Sequence, residues 1–533
     1  MFFRLEKNGD FCDVRVMSYT QLKSYLRLKK LSQTPLDLTH EINPKRIVSM
    51  QSKALGIRLL YGTERVTQDV LEGLWDLSRE CKLIDKMEAM QSGANLNRIE
   101  GYKSEDRPVL HTAMRDFFEE KNLAFSAREA SYLAWIEIQK LNEFQSKFDR
   151  FTDLIQIGIG GSSLGPEAIY NGLEAFSIPH RRLHFLSNVD PDEGAKIFRR
   201  VDLFKTVVVV VSKSGSTLET VTNETYVRDQ FKKAGLNPKD HLIAITGKGS
   251  PMDNPVNYLA TFYIWDYVGG RYSVTSMVGA VMLSFAFGMN NVMDFLRGAS
   301  GMDKIALSSD IQKNLPLLSA LLGVWNRSFL NYSTCAIIPY SQALGRFPAH
   351  LQQLDMESNG KRIDRKGQPV DFETGPIIWG GPGTNGQHSF FQLLHQGTTI
   401  VPLEIIGFCE SQYGQDVIVE ETTSQQKLLA NLFAQSIALA QGQISDNPNK
   451  YFPGNRPNRV LLAKRLDPFT LGAILSYYEH KVAFQGFIWN INSFDQEGVQ
   501  LGKEIALKIL NLYHVKSCDF PLGQSYLSFL DKN

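Results

Sequence analysis

Short apolar runs rich in β-branched residues alternate with helix-spaced apolar positions through the middle of this chain. The first runs lie at 154–159, 183–186, 207–211 and 242–245, with helical patterns between them. Strands covered on both faces by crossover helices read this way, so a parallel sheet is predicted. A helix-rich stretch follows from about 274 to 330, and a second set of buried strands is predicted at 336–338, 376–379, 400–406 and 460–463. Further helical patterns run over 468–484 and 495–512. The first 120 residues or so show amphipathic helical spacing and few strand signals. The pattern predicts an α/β protein of two blocks in tandem, with no short-period repeat and no linker-like segment. The most apolar stretch, 274–289, is interrupted by Ser276, Gly279, Ser284 and Gly288. It falls short of the roughly 20 residues that cross a bilayer, so a buried helix is expected there and no membrane span.

Composition narrows the class. A chain of 533 residues exceeds a single core, so two or more α/β-sized domains are expected. Its formal net charge of +1 argues against a general nucleic-acid binder. Cys12, Cys81, Cys335, Cys409 and Cys518 lie far apart without a C-x-x-C pair. That spacing disfavours a disulfide framework or a zinc site and points to a reducing compartment. The first ten residues are too charged for a signal peptide, so a cytoplasmic protein is expected.

Two loops could hold an anion. The first, Gly158-Ile159-Gly160-Gly161-Ser162-Ser163-Leu164-Gly165, follows a predicted strand. It lacks the third glycine of the dinucleotide fingerprint, and Pro166 and Glu167 stand where a Walker motif needs Lys and Ser/Thr. It reads either as a tight strand-to-helix turn or as a cradle in which glycines bring backbone N–H groups and Ser162 toward a ligand. The second loop, Ser212-Lys213-Ser214-Gly215-Ser216-Thr217-Leu218-Glu219, sets a run of hydroxyls and a lysine at a helix start. Helix N-termini present unpaired N–H donors and a partial positive charge, which suits phosphate. A capping box with Ser216 at the cap and Glu219 three residues on is the alternative.

Four further positions could move protons or steady charge. Gln353 and Glu357 are four apart on a predicted helix that ends at Gly360, a C-cap glycine by position. Glu357 is the candidate base, or else a solvated helix-end glutamate. Arg271 follows Gly269-Gly270 and could fix a positive charge at a helix start, or form a surface salt bridge. His388 lies in a loop with glycines at 380, 381, 383 and 386, where Thr384 or Asn385 could cap the next helix. Gln496 and Lys503 are seven apart, nearly two helical turns, with Gly498 and Gly502 between them. Those glycines suggest close approach of a ligand or backbone, or a weak amphipathic surface helix. Spacings for H-E-x-x-H, calcium loops, Cys/His zinc sites and a G-x-S-x-G elbow are absent.

Taken together, seven stretches resemble the glucose-6-phosphate isomerase (phosphoglucose isomerase) family: 157–166 (IGIGGSSLGP), 187–192 (SNVDPD), 212–220 (SKSGSTLET), 266–273 (DYVGGRYS), 352–361 (QQLDMESNGK), 380–390 (GGPGTNGQHSF) and 493–503 (SFDQEGVQLGK). They occur in the family's order, and 110–115 (LHTAMR) is a weaker match. The resemblance implies two tandem three-layer αβα sugar isomerase domains with mainly parallel sheets, plus helical N- and C-terminal segments. We expect a helical N-terminal segment at 1–118 packing on the second domain, a smaller first domain at 119–288 and a larger second domain at 289–533 with a C-terminal helix. It also implies reversible isomerisation of glucose 6-phosphate and fructose 6-phosphate without metal or organic cofactor, in a homodimer whose sites are shared between subunits.

By the same resemblance, Glu357 is similar to the base that moves a proton between C1 and C2, and Arg271 to the group that stabilises the cis-enediolate. His388 and Lys503 resemble the ring-opening pair, and Glu219 the carboxylate that orients the histidine across the interface. Ser162, Ser212, Ser214 and Thr217 resemble the phosphate site, with the backbone of Gly161 and Lys213 beside it. Gln353 and Gln496 resemble substrate-contacting amides. The chain departs from many relatives at Gly215, where they carry a bulky aromatic, and in a shorter segment after Arg115. Rival readings are a non-catalytic sugar-phosphate sensor and an isomerase of another hexose 6-phosphate. A glutamine-hydrolysing amino-sugar enzyme fails because residue 2 is Phe2.

Overall fold

The computed structural model describes residues 18–514 and 520–530. Cys12, Cys518 and the first ten residues therefore lie outside the described residues. The chain divides into two units, residues 1–493 and 494–533.

Both sheets lie in the first unit. A hairpin of β1 (Gln51–Ala54) and β2 (Ile57–Leu60) comes first. Then come β3 (Asp153–Ile157), β4 (Arg182–Leu186), β5 (Thr206–Ser212), β6 (Leu242–Thr246) and β7 (Ala260–Tyr263), joined in the order β4-β3-β5-β6-β7 with every pair parallel. β8 (Thr334–Pro339), β9 (Ile377–Gly380), β10 (Leu403–Phe408) and β13 (Asn458–Ala463) form the parallel part of the second sheet. Between the last two sits a small separate hairpin, β11 (Ile418–Val419) and β12 (Thr422–Thr423). The run TVVVVVS of β5 is buried along its whole length, as a central parallel strand covered on both faces must be.

The sequence pattern finds eight of these strands to within a few residues. It misses β7, a half-buried edge strand, and both hairpins. β2 runs antiparallel to β13, so the mostly helical N-terminal segment also lengthens the second sheet. Its turn uses Leu55 and Gly56, both at positive φ. Leucine rarely adopts that conformation, so the usual Asn-Gly hairpin signal is missing.

The two sheets share a strand sequence. In each, the first strand lies between the second and the third: β4-β3-β5 in one, β9-β8-β10 in the other. At the carboxyl ends of the first and third strands the connections leave in opposite directions, and a crevice opens between them. In the first sheet this crevice falls between the loops after β3 and β5, which are the two glycine- and hydroxyl-rich loops of the sequence.

The helix Met277–Phe287 is buried at every position. Among the described residues no helix is long and apolar enough to cross a membrane. Two longer helices, Met289–Ala306 and Pro468–Trp489, cross at reciprocal glycines. A side-chain carbon at Gly298 would lie 1.9 Å from the Phe469 carbonyl oxygen, and one at Gly472 would lie 1.9 Å from that of Phe295. The second of these helices begins on Asp467, which accepts from the Thr470 N–H at 2.8 Å, and ends on Asn490 in left-handed conformation. It is longer than the sequence pattern suggests, reaching Trp489, because it runs through the core and carries charge inside. Lys481 pairs with Glu404, which Arg459 also holds, at 2.5 Å. On the other side Arg115 bonds Asp303 at 2.7 Å and Glu479 at 2.8 Å, and His480 reaches the same aspartate at 2.6 Å. Burial pushes Glu479 up to about 7 against the pull of Arg115.

The glycine crossing gives the first test. Gly472→Ala is expected to lower the thermal midpoint through overpacking of about 1–3 kcal/mol. Gly381→Ala, at a position with open space around it, serves as the neutral control in the same melts.

Candidate active site

The site is built around a buried cation. A short 3₁₀ turn, Gly270–Tyr272, carries Arg271 inward. The loop after β3 packs directly on this turn: a side-chain carbon at Gly161 would lie 2.2 Å from the Gly270 carbonyl oxygen. Backbone thus meets backbone, and only glycine fits. The Arg271 guanidinium donates from Nε to Ser358 Oγ at 2.6 Å and from Nη2 to the Ser493 carbonyl at 2.6 Å. Its Nη1 lies 3.2 Å from Glu357 Oε2. The side chain of Arg271 is 1% exposed while that of Glu357 is 21% exposed. This is no surface salt bridge. The cation is fixed in the protein, and the carboxylate is the partner that opens outward.

Glu357 reaches this place through an irregular helix. The α-helix Phe347–Gln352 widens into a π turn, Gln353–Glu357. Such turns are rare and frequent at functional sites. The amide and carboxylate meet as their spacing predicts, with Gln353 Nε2 donating to Glu357 Oε2 at 3.1 Å, although a π turn brings them together. Gln353 also faces the first loop: a side-chain carbon at Gly160 would lie 3.2 Å from its Nε2. One turn earlier, burial holds the His350 imidazole neutral, down at about 4, beside Gly165 of the same loop. The helix ends near Gly360 as expected, but that glycine is absent from the left-handed positions. Its lack of a side chain matters because a carbon there would come 2.4 Å from the Met356 carbonyl oxygen. Lys361 closes the end, donating to the carbonyls of Glu357 at 2.9 Å and Ser358 at 3.2 Å.

The hydroxyl-rich loop after β5 is organised by its own side chains. Ser212 Oγ pairs with Thr217 Oγ1 at 3.0 Å and accepts from the Gly215 N–H at 3.1 Å. Ser214 Oγ accepts from Ser216, from the N–H at 3.2 Å and from the hydroxyl at 3.1 Å. The capping-box reading fails: Thr217 holds the cap position of the helix Leu218–Lys233, and no side chain caps it. The first N–H groups therefore face the crevice with their donors and partial positive charge. Gly215 has φ +67°, and a side-chain carbon there would lie 3.0 Å from Ser250 Oγ. A larger side chain would be strained at this position. Lys213 donates to the carbonyls of Asp266 at 3.4 Å and Val268 at 3.2 Å, tying the loop to the segment that leads into Arg271. Burial, with Arg107 nearby, lowers Lys213 to about 8.

The remaining candidates are placed by their own elements. Ser162 ends the 3₁₀ turn Gly160–Ser162, and its carbonyl accepts from Gln156 at 2.8 Å. Glu219 is half-buried in the first turn after Thr217. His388 is exposed just beyond the helix Gly383–Gln387 that follows β9, and Pro382 takes the cap position there instead of Thr384 or Asn385. Among the described residues no hydrogen bond or ion pair joins His388 to Glu219. Gln496 and Lys503 belong to the second unit. Gln496 precedes a 3₁₀ turn with φ −145°, so it does not share a helical face with Lys503, which is exposed on the helix Gln500–His514. Gly498 and Gly502 face open space.

Sequence reasoning missed Ser358, Tyr272 and Ser493. All three lie inside the stretches that carry the resemblance. Spacing does not reveal which small polar residue will be buried against a guanidinium.

Comparison with known proteins gives one family. The model of phosphoglucose isomerase matches residues 60–519. A glucose-6-phosphate isomerase of Protochlamydia amoebophila is 58% identical over 514 residues, covering 95% of this chain and 96% of its own. One from Desulfotalea psychrophila is 52% identical over 500 residues, covering 91% of this chain and 93% of its own. The crystal structure of a glucose-6-phosphate isomerase from Chlamydia trachomatis superposes with a TM-score of 0.94 at 48% identity, over 96% of this chain and 99% of that one.

The lowered lysine supplies a pH test of the anion loop. Below about 8 Lys213 is charged and favours an anion; above it the charge is lost. Sulfate keeps its charge across this range, so its affinity is expected to fall roughly fivefold between pH 7 and 9, about 1 kcal/mol. Lys213→Met should flatten that dependence in calorimetric titrations. A pH-independent parent affinity would contradict the assignment.

Proposed function

The chain belongs to the phosphoglucose isomerase family, and we propose that Glu357 and Arg271 carry its proton transfer. The protein interconverts glucose 6-phosphate and fructose 6-phosphate, a step common to glycolysis and gluconeogenesis. The observation that carries the residue assignment is the 3.2 Å approach of a buried guanidinium to an accessible carboxylate.

The chemistry needs both groups. A carbon acid beside a carbonyl is weak, and removing its proton leaves an enediolate. Glu357 takes the proton from C2 of the open-chain aldose and returns it to C1. Arg271 holds a positive charge beside the developing anion, in surroundings that do not have to reorganise. Ser212, Ser214 and Thr217, with Ser162 and the backbone of Gly161 and Lys213, bind the phosphate. That remote contact holds C1 and C2 against the carboxylate. Gln353, already bonded to Glu357, and Gln496 contact the sugar. His388 and Lys503 open the ring, and Glu219 orients the histidine.

We further propose a homodimer in which His388 serves the partner's site. In support, His388 is exposed and no bond joins it to Glu219 among the described residues of one chain. The helix Gln500–His514 also exposes Leu501, Leu507, Leu510 and Tyr513. We assign the protein to the cytoplasm, in keeping with free thiols at Cys81, Cys335 and Cys409.

Two experiments test this reading. Glu357→Gln should lower turnover of fructose 6-phosphate by about a hundred- to ten-thousand-fold while leaving its binding nearly unchanged. Near-normal turnover would refute the base. Mixing inactive His388→Ala and Glu357→Gln subunits should restore roughly a quarter of parental activity, because half the dimers formed are hybrids with one intact site each. Verified hybrids without activity would refute the shared site.

A further inference from the structure

Three consecutive residues, Glu357, Ser358 and Asn359, hold the Arg271 guanidinium from three directions. Glu357 faces Nη1. Ser358 Oγ accepts from Nε at 2.6 Å. Asn359 acts one step removed: its Oδ1 accepts from Ser493 Oγ at 2.8 Å, and the Ser493 carbonyl accepts from Nη2 at 2.6 Å. Asn359 is itself tied to the long core helix, donating to the Val482 carbonyl at 3.1 Å. Ser358 and Asn359 are both fully buried.

A guanidinium is planar, so fixing Nε and Nη2 fixes the plane and the direction in which Nη1 points. Ser358 can accept from Nε only with its lone pairs turned to the arginine. Tyr272 Oη lies 3.0 Å from Ser358 Oγ, and a serine hydroxyl that donates to it leaves its lone pairs for the arginine. The Tyr272 ring is stacked on buried His111 at 4.6 Å and cannot swing. We propose that Ser358, backed by Tyr272, is a positioning residue that aims Arg271 at the enediolate. Because Ser358 directly follows Glu357, the same peptide unit sets the base and the direction of the cation. Any shift of the π turn then moves both together, and their separation is conserved while the carboxylate works.

The inference rests on the roles given to Glu357 and Arg271 above, and it makes a demand that a merely stabilising hydroxyl would not. Arg271 matters for the enediolate far more than for the bound sugar phosphate. Ser358→Ala should therefore lower kcat for fructose 6-phosphate roughly 10- to 100-fold, the scale of a misplacement of about 1 Å, with KM nearly unchanged. Affinity for a planar five-carbon hydroxamate phosphate should fall by a similar factor, while affinity for an alditol 6-phosphate, which has no planar end, should stay within about twofold of the parent. A purely structural serine would lower the thermal midpoint and leave the ratio of the two inhibition constants untouched. Tyr272→Phe removes only the hydroxyl behind Ser358 and should show the same split to a smaller degree; it decides the matter if Ser358→Ala does not fold. The proposal is overturned if a folded variant keeps the parental ratio of inhibition constants. A parent enzyme that does not isomerise, or a fully active Glu357→Gln, would instead overturn the reading on which it rests.

Discussion

A charged guanidinium with almost no access to water governs this structure. Burying such a group is costly unless it is paired and hydrogen-bonded, and breaking its pairing leaves an uncompensated charge. Arg271 meets that requirement with a hydroxyl, a carbonyl and a carboxylate. The demand explains local features that otherwise look unrelated. Gly161 must lack a side chain so that the turn bearing Arg271 can press against the first loop. The helix bearing Glu357 widens into a π turn, and from its end the carboxylate and the next residue's hydroxyl meet one cation.

The fold makes this convergence available. Both sheets place their first strand between the second and third, so each opens a crevice at its carboxyl edge. Segments from the first sheet supply the two glycine- and hydroxyl-rich loops and the arginine turn, and the helical segment after β8 supplies Gln353 and Glu357. Behind them, the core helix Pro468–Trp489 applies the same rule of paired buried charge. Lys481 and Arg459 meet Glu404, and Arg115 meets Asp303 and Glu479. The outcome is a rigid frame under a small set of accessible groups, which is what a site needs when its electrostatics must be in place before the reaction.

Eight strands of the two parallel sheets were legible because buried β-branched runs have few other uses, whereas the half-buried edge strand β7 gave too weak a signal. The glycine- and hydroxyl-rich turn after β5 and the Gln353–Glu357 contact were legible because glycine, hydroxyl and fourfold spacing each carry a direct geometric meaning. What escaped was set by tertiary contact. The Leu55–Gly56 hairpin lacks turn chemistry because pairing with β13 imposes it. Ser216 and Glu219 match a capping box by letter, yet the cap position falls one residue later, on Thr217, whose hydroxyl bonds to Ser212 instead. Gln496 and Lys503 share a helical phase only if the helix extends through Gln496, and it begins at Gln500. Ser358 looked like an ordinary small residue, since nothing in its neighbours along the chain reveals the guanidinium above it.

The central claim is that Glu357 moves the proton while Arg271 steadies the anion. It is tested most directly by a crystal structure with a five-carbon hydroxamate phosphate bound. The account expects a Glu357 oxygen within about 3 Å of the ligand's planar end, in reach for proton transfer, with Arg271 Nη1 on its oxygens and the phosphate among Ser212, Ser214 and Thr217. A planar end lying many ångströms from that carboxylate, with the phosphate bound elsewhere, would contradict it.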